Sequence, residues 1–175
     1  MRVLLAAVLL VVAGCGTTVR ASTPSGAPSA DLTATDLAFA ELVIPQNESA
    51  LAALALTATR PGSTLRPVTD QVAATYRDEL ARVRDVLARA GRPETRQHDG
   101  HDMPGMITAA ELAAIGTAED TAFDEHLRTV LRTQFEEART VARAELSAGT
   151  SKPVLDLGAH IERTRTEFLT LLGAP

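Results

Sequence analysis

The sequence predicts an all-α fold: an antiparallel four-helix bundle built from two helical hairpins, joined by a His/Met loop and a short helix. Three observations carry that prediction. The chain is 45% hydrophobic but only 3% aromatic. Much of the apolar content is Ala, Leu and Val, which favours helices packed through small and aliphatic side chains over a β-sandwich. Apolar residues recur at steps of three and four through four long stretches, the spacing of helices with one buried face. The connections within each pair of stretches are short, which makes neighbouring helices antiparallel. A length of 175 residues allows one such domain plus tails.

Before the first helix, Met1 and Arg2 give a short positive start, and Val3 to Ala13 is an unbroken apolar run. That run is shorter than the roughly 20 residues of a membrane-spanning helix and suits the apolar core of a signal peptide. It ends in Val12-Ala13-Gly14-Cys15. An aliphatic residue, two small residues and a cysteine resemble the lipobox of bacterial lipoproteins, which implies cleavage before Cys15 and lipid on its thiol. Cys15 is the only cysteine, so no intramolecular disulfide can form. From Gly16 to about Ala30 the chain is dominated by Thr, Ser, Pro, Ala and Gly; it has too little apolar surface to bury and reads as a tether. The expected organisation is a signal peptide over 1–14, a lipidated cysteine and tether over 15–31, and a helical domain over 32–175. The expected location is the extracytoplasmic face of the cell membrane, held by lipid.

The first helix is expected from about Leu32 to Thr59, with Thr33, Thr35 and Asp36 as candidate caps. Phe39, Val43, Ala50, Leu51 and Leu54 are spaced for its packed face. Pro45 lies inside it and should kink or break it. Arg60-Pro61-Gly62-Ser63 is a turn. The second helix opens near Pro67 and runs to Ala90, with Val68, Val72, Tyr76, Leu80, Val83 and Leu87 inward; Gly91-Arg92-Pro93 stops it. A loop follows from Glu94 to Ile107. Thr108-Ala109-Ala110-Glu111 has the capping-box pattern and begins a short helix ending near Gly116. Thr117-Ala118-Glu119-Asp120 reads as a second cap. It opens a long helix to about Ser147, with Phe123, Leu127, Leu131, Ala138 and Ala142 on one side. Ser151-Lys152-Pro153 starts the last helix, where Leu157, Ile161, Phe168 and Leu171 are expected to face inward.

The two hairpins also read as an internal duplication. At a constant offset of 88 positions, Asp36 pairs with Asp124, Gln46 with Gln134, Ala50 with Ala138, Glu79 with Glu167 and Leu80 with Phe168.

The duplication and the central loop resemble the domain-of-unknown-function 305 family. The residues that carry the resemblance are Asp36, Phe39, Ile44-Pro45-Gln46-Asn47 and Ala50, then His98-Asp99-Gly100-His101-Asp102-Met103-Pro104-Gly105-Met106, then Phe123-Asp124. It covers about Asp36 to Leu172 and implies a ferritin-like helical bundle. Family members carry a His-His pair in each half and have been linked to metal handling, copper in particular. This chain has Gln46-Asn47 and Gln134-Phe135 at those places. Amides are poor ligands for soft transition metals, and a phenyl ring is none.

Two readings of the loop stand open. His98, His101, Met103 and Met106 place two imidazoles and two thioethers within nine residues, and such donors suit copper, with Asp99 and Asp102 as further oxygen donors. Alternatively, the loop is a polar connection whose methionines pack on the bundle end. Gln46, Asn47 and Gln134 could form a polar bundle interior, which would require hydrogen-bond partners. His126 and His160 are single helical histidines and read as surface or hydrogen-bonded residues, since one imidazole cannot fill a coordination shell.

Several function classes are set aside. The formal net charge is −5; without residues 1–14 it is 16 basic residues against 22 acidic, or −6. An acidic domain with no basic stripe is a poor nucleic-acid binder. A di-iron centre in such a bundle needs Glu-x-x-His on two helices, and no Glu precedes any histidine by three positions. There is no Ser-His-Asp set, phosphate loop, haem motif or zinc cysteine cluster. The chain therefore reads as non-enzymatic, with no catalytic residue and no certain cofactor. Its one identifiable partner is the membrane, through Cys15, and its protein partner is unknown. Copper bound by the His98–Met106 loop is the alternative.

Overall fold

The computed structural model describes residues 31–95, 98 and 101–173. The signal segment, Cys15, the tether to residue 30 and Asp99 lie outside the described residues. Five helices follow in order: α1 (Ala34–Ala55), α2 (Arg66–Arg89), α3 (Ala109–Thr117), α4 (Asp120–Ala148) and α5 (Lys152–Leu171), with a 3-10 turn over Leu56–Thr59 after α1. No strand occurs among the described residues. The fold is an all-α bundle. Hairpin α1–α2 packs on hairpin α4–α5, with α1 against α4 and α2 against α5, and α3 lies on α4 and α1.

Local chemistry sets the helix ends. Thr33 caps α1 through a full capping box with Asp36, and Thr108 does the same for α3 with Glu111; each box satisfies two N–H groups that the helix cannot. Pro67 lies in the first turn of α2 and Pro153 in that of α5, where a missing N–H costs nothing. Past α2, Gly91 takes φ +65°, and Arg92 N donates to Leu87 O at 2.9 Å, the left-handed closure that glycine favours.

Three expectations are corrected. Pro45 does not break α1, which runs through it; Val43, Ile44, Gln46 and Asn47 on both sides are buried, so tertiary packing holds the helix where Pro45 removes one backbone donor. Thr117 ends α3 instead of capping α4: its hydroxyl donates back to Ala113 O at 2.9 Å, and the cap residue Glu119 makes no side-chain cap bond. Leu171 points outward at 48% exposure, and Leu172 is buried instead, continuing the spacing of Ile161, Arg165 and Phe168.

The core has two apolar ends. One holds Ala53, Leu65, Val72, Ile115, Leu127 and Phe135, and the other Phe39, Val43, Val83, Leu87, Leu157 and Ile161. Each large aliphatic or aromatic side chain contributes about 1.5–3 kcal/mol by leaving water. Between the two ends, at the level of Asn47, Glu79, Gln134 and Arg165, the bundle is polar. That layer is where a site would sit.

Candidate functional site

Glu79 and Arg165 meet in the middle of the bundle at 0% and 1% exposure. Arg165 Nη1 donates to Glu79 Oε1 and Nη2 to Oε2, both at 2.8 Å. Asn47 closes the array: its Oδ1 accepts from Arg165 Nη2 at 3.0 Å, and its Nδ2 donates to Glu79 Oε2 at 2.9 Å. Thr164 Oγ1 accepts from Arg165 Nη1 at 3.1 Å and donates to Glu79 Oε1 at 3.3 Å. The guanidinium lies 4.0 Å from the centroid of the Tyr76 ring, within range of a cation–π contact. Burial works against the Arg165 charge, but Tyr76 and Glu79 hold its pKa above the ordinary arginine value. Burial, chiefly, pushes the Tyr76 phenol up. His160 borders the array with Nε2 3.6 Å from Glu79 Oε1, and its Nδ1 accepts from Arg163 at 3.0 Å. Burial holds that imidazole below its usual value, against the pull of Glu79. A bidentate pair whose carboxylate lone pairs are met by further donors is the arrangement in which a buried ion pair is tolerated; among the described residues Arg165 Nε has no partner.

A second cluster ties the central loop to the bundle. Tyr76 Oη donates to Gln134 Oε1 at 2.5 Å, and Gln134 Nε2 donates to Gly105 O at 3.2 Å. Gln46 Nε2 donates to Pro104 O at 2.6 Å, Gly105 N donates to Glu137 Oε2 at 2.6 Å, and Ile107 N donates to Ser49 Oγ at 3.0 Å. Gly105 has φ +78°, and a Cβ there would lie 2.6 Å from Gln46 Nε2. Glycine is therefore required by conformation and by space. The two glutamines stand where the resemblance implies the first histidine of each pair, and they grip adjacent carbonyls of the Met-Pro-Gly-Met turn.

The two hairpins also lock each other's turns. Asp36, on α1, accepts from Thr150 N and Ser151 N at 2.9 Å each, and from Thr33 N at 2.8 Å. Asp124, on α4, accepts from Ser63 Oγ at 2.5 Å, Thr64 N at 2.8 Å and Thr64 Oγ1 at 2.6 Å. Burial alone would raise both carboxyls. The Thr33, Ser151 and Thr150 donors hold Asp36 well below its ordinary value. Ser63, Thr64 and the Arg128 charge do the same for Asp124.

Except for Met103, the described loop candidates line two adjoining clefts that share Pro45 and Glu48. His98 is half-buried in a cleft with Glu41, Ile44, Pro45, Glu48 and Glu94. His101 and Asp102, both exposed, line the neighbouring cleft with half-buried Met106. Met103 is half-buried and lines neither. Among the described residues no three His, Cys, Asp or Glu side chains converge as metal ligands. The copper implied by the resemblance does not fit the pair positions. Gln46, Asn47 and Gln134 spend their amides on the bonds above, Phe135 packs against Tyr76 and Phe168, and the fixed positive charge of Arg165 would repel a metal cation there. His126 is exposed.

The polar interior of Gln46, Asn47 and Gln134 is present with the partners it requires. Arg165 and Glu145 escaped sequence reading, although each had a signal. Arg165 falls on the apolar stripe Leu157, Ile161, Phe168, and Glu145 extends Leu131, Ala138, Ala142. A charge on a buried stripe asks for a partner.

The sequence profile of the family described as Domain of unknown function (DUF305) matches residues 36–172. Two solved structures share the fold. A DUF305 fragment from Deinococcus radiodurans is 17% identical at a TM-score of 0.72, covering 81% of this chain and 94% of its own. A DUF305 protein from Streptomyces coelicolor, described as secreted, is 17% identical at a TM-score of 0.71, covering 79% of this chain and 89% of its own. No curated protein matches the chain.

Proposed function

This chain belongs to the DUF305 family, and on that premise we propose that it is a lipid-anchored envelope protein whose bundle acts through its surface, in a binding or accessory role without catalysis. The observation that carries the reading is the Glu79–Arg165–Asn47 array. A fixed guanidinium occupies the polar centre, its charge is matched internally, and its members are closed to solvent. Such a centre holds the helices in register and leaves no coordination position or solvent-facing nucleophile among them. What remains for recognition is the outer surface.

The anchor rests on Cys15 and the apolar run before it. No helix among the described residues is long and apolar enough to cross a membrane, which is compatible with attachment by lipid, and the Streptomyces coelicolor relative is described as secreted. Two lipid chains on a cysteine suffice for stable attachment, whereas one gives marginal binding. Metabolic labelling with a tritiated fatty acid tests the anchor. The wild-type chain should take up label and sediment with membranes, and Cys15→Ala should do neither; labelling unchanged in the variant would refute it. Titration with Cu(I) and Cu(II) tests the surface-only reading. A variant with His98, His101, Met103 and Met106 all changed to Ala should match the wild-type chain in weak binding. Submicromolar copper affinity lost in that variant would replace this reading with a copper-binding loop.

A further inference from the structure

Glu145, in the last turn of α4, is 1% exposed, and among the described residues no donor reaches either of its carboxyl oxygens. Gly149 makes room for it, since a Cβ there would strike the Glu145 carboxyl, while Gly158 packs against it in ordinary contact. Gly149 has an ordinary φ of −71°, so glycine is needed there for space and not for conformation. The neighbouring charge is Asp36 of α1, which accepts from Thr33 and from Thr150 and Ser151 of the same turn whose Gly149 packs on the Glu145 carboxyl. Among the described residues no cation is paired with Glu145. Lys152, at the start of α5, is turned to Asp156 at 2.8 Å, and Arg143 of α4 to Glu162 at 2.8 Å; the α4–α5 turn offers only Thr150 and Ser151. Placing an anion at a helix C-terminus adds to the penalty.

We propose that Glu145 and Asp36 share one proton, and that this proton locks the start of α1 to the α4–α5 turn. In the locked form the Glu145 O–H donates to an Asp36 oxygen. Burial, then the bond to Asp36 and its charge, push Glu145 up to about 7. As the pH rises the proton passes to water, two carboxylates face each other without a counter-charge, and Glu145 must swing outward past Gly149, loosening the turn. The sign follows from linkage. A carboxyl raised in the folded state stabilises fully below its ordinary value of 4.5 and loses that stabilisation as the pH passes through about 7. The lock is closed in acid and loosens toward alkaline pH. It does not depend on the lipid anchor.

The test uses the full-length lipidated chain in detergent micelles, wild type beside Glu145→Gln, from about pH 5 to 8, a window spanning the titration. Amide hydrogen exchange at Thr150 and Ser151, corrected for intrinsic base catalysis, reads the lock. In the wild-type chain their opening should rise on the order of 10²-fold across that range, since each unit of pKa shift is tenfold. In Glu145→Gln it should stay flat, and in both chains the turn at Ser63 and Thr64 should not respond. Carbon-13 titration of the wild-type Glu145 carboxyl should give a midpoint near 7. A midpoint in the ordinary carboxylate range would overturn the proposal, as would identical exchange in the two chains. Protection restored at alkaline pH by millimolar Ca²⁺ or Mg²⁺ would also overturn it, marking Glu145 and the unpaired Ser151 Oγ as a cation site instead.

Discussion

Asp36 and Asp124 hold equivalent places in the two hairpins, and both accept backbone and hydroxyl donors from the turn of the opposite hairpin. Gln46 and Gln134 are likewise equivalent, and both grip the central turn. The middle of the bundle shows no such symmetry. Glu79 is buried while its counterpart Glu167 is exposed, Arg165 is buried while its counterpart Arg77 is exposed, and Asn47 faces the array where the other half has Phe135. The difference has a physical cause. A backbone N–H needs an acceptor in each hairpin, so a capping carboxylate is useful twice. A dry interior tolerates one matched charge pair far better than two adjacent pairs, each bearing its own desolvation cost.

The centre gives the largest effect. Arg165→Met leaves Glu79 buried without its cation and should cost about 3–5 kcal/mol in urea unfolding. Arg77→Met, its exposed counterpart, should stay within about 0.5 kcal/mol. Changing Glu79→Leu and Arg165→Met together should recover most of the loss, because a buried pair replaced as a pair is often neutral. Equal costs for the two arginines would abolish the asymmetry on which the comparison rests.

Next comes the turn that the symmetric glutamines hold. Gly105→Ala puts a Cβ at positive φ and against Gln46, and should cost about 1–3 kcal/mol. Gly91→Ala, also at positive φ but with open space around it, should cost about 1 kcal/mol. Thermal melts of the two variants separate conformational strain from the clamp. If both lose the same amount, Gln46 does not press on the turn.

How much of this was legible in the sequence follows the same division. The helices, the two capping boxes and the repeat were readable because each depends on local spacing or on residues three positions apart. The failures were tertiary. Pro45 is tolerated because neighbours on both sides are buried, and Leu171 gave way to Leu172 because the register of the last turn is set by packing. The partner of Arg165 lies 86 positions away on another helix, so its stripe position showed that a charge was buried but not what neutralised it. Glu145 is harder still. Its counterpart Thr57 is also buried but donates to Leu54 O at 2.7 Å, so the repeat gave no warning of an unpaired carboxyl.

The smallest effect sharpens the comparison between the two capping aspartates. Both are held below the ordinary carboxylate value by their donors, so each stabilises the fold above that value, and the contribution is lost as the pH falls through the lowered folded value. Asp124→Asn should therefore cost about 1 kcal/mol at neutral pH, the size of a lost cap, and the gap from the wild-type chain should shrink in strong acid. Asp36→Asn should behave the same way on the acid side and differently above about pH 7, because it also removes the charge facing Glu145. There the loss of the cap is partly offset by relief of the carboxylate pair, so Asp36→Asn should cost less at pH 8 than at pH 5, while Asp124→Asn costs the same at both, an order-of-magnitude contrast drawn from linkage. Urea midpoints at those two pH values decide it. Parallel behaviour of the two variants would mean that the ends of the bundle are as alike in their electrostatics as in their hydrogen bonds, and that Glu145 does not act on Asp36.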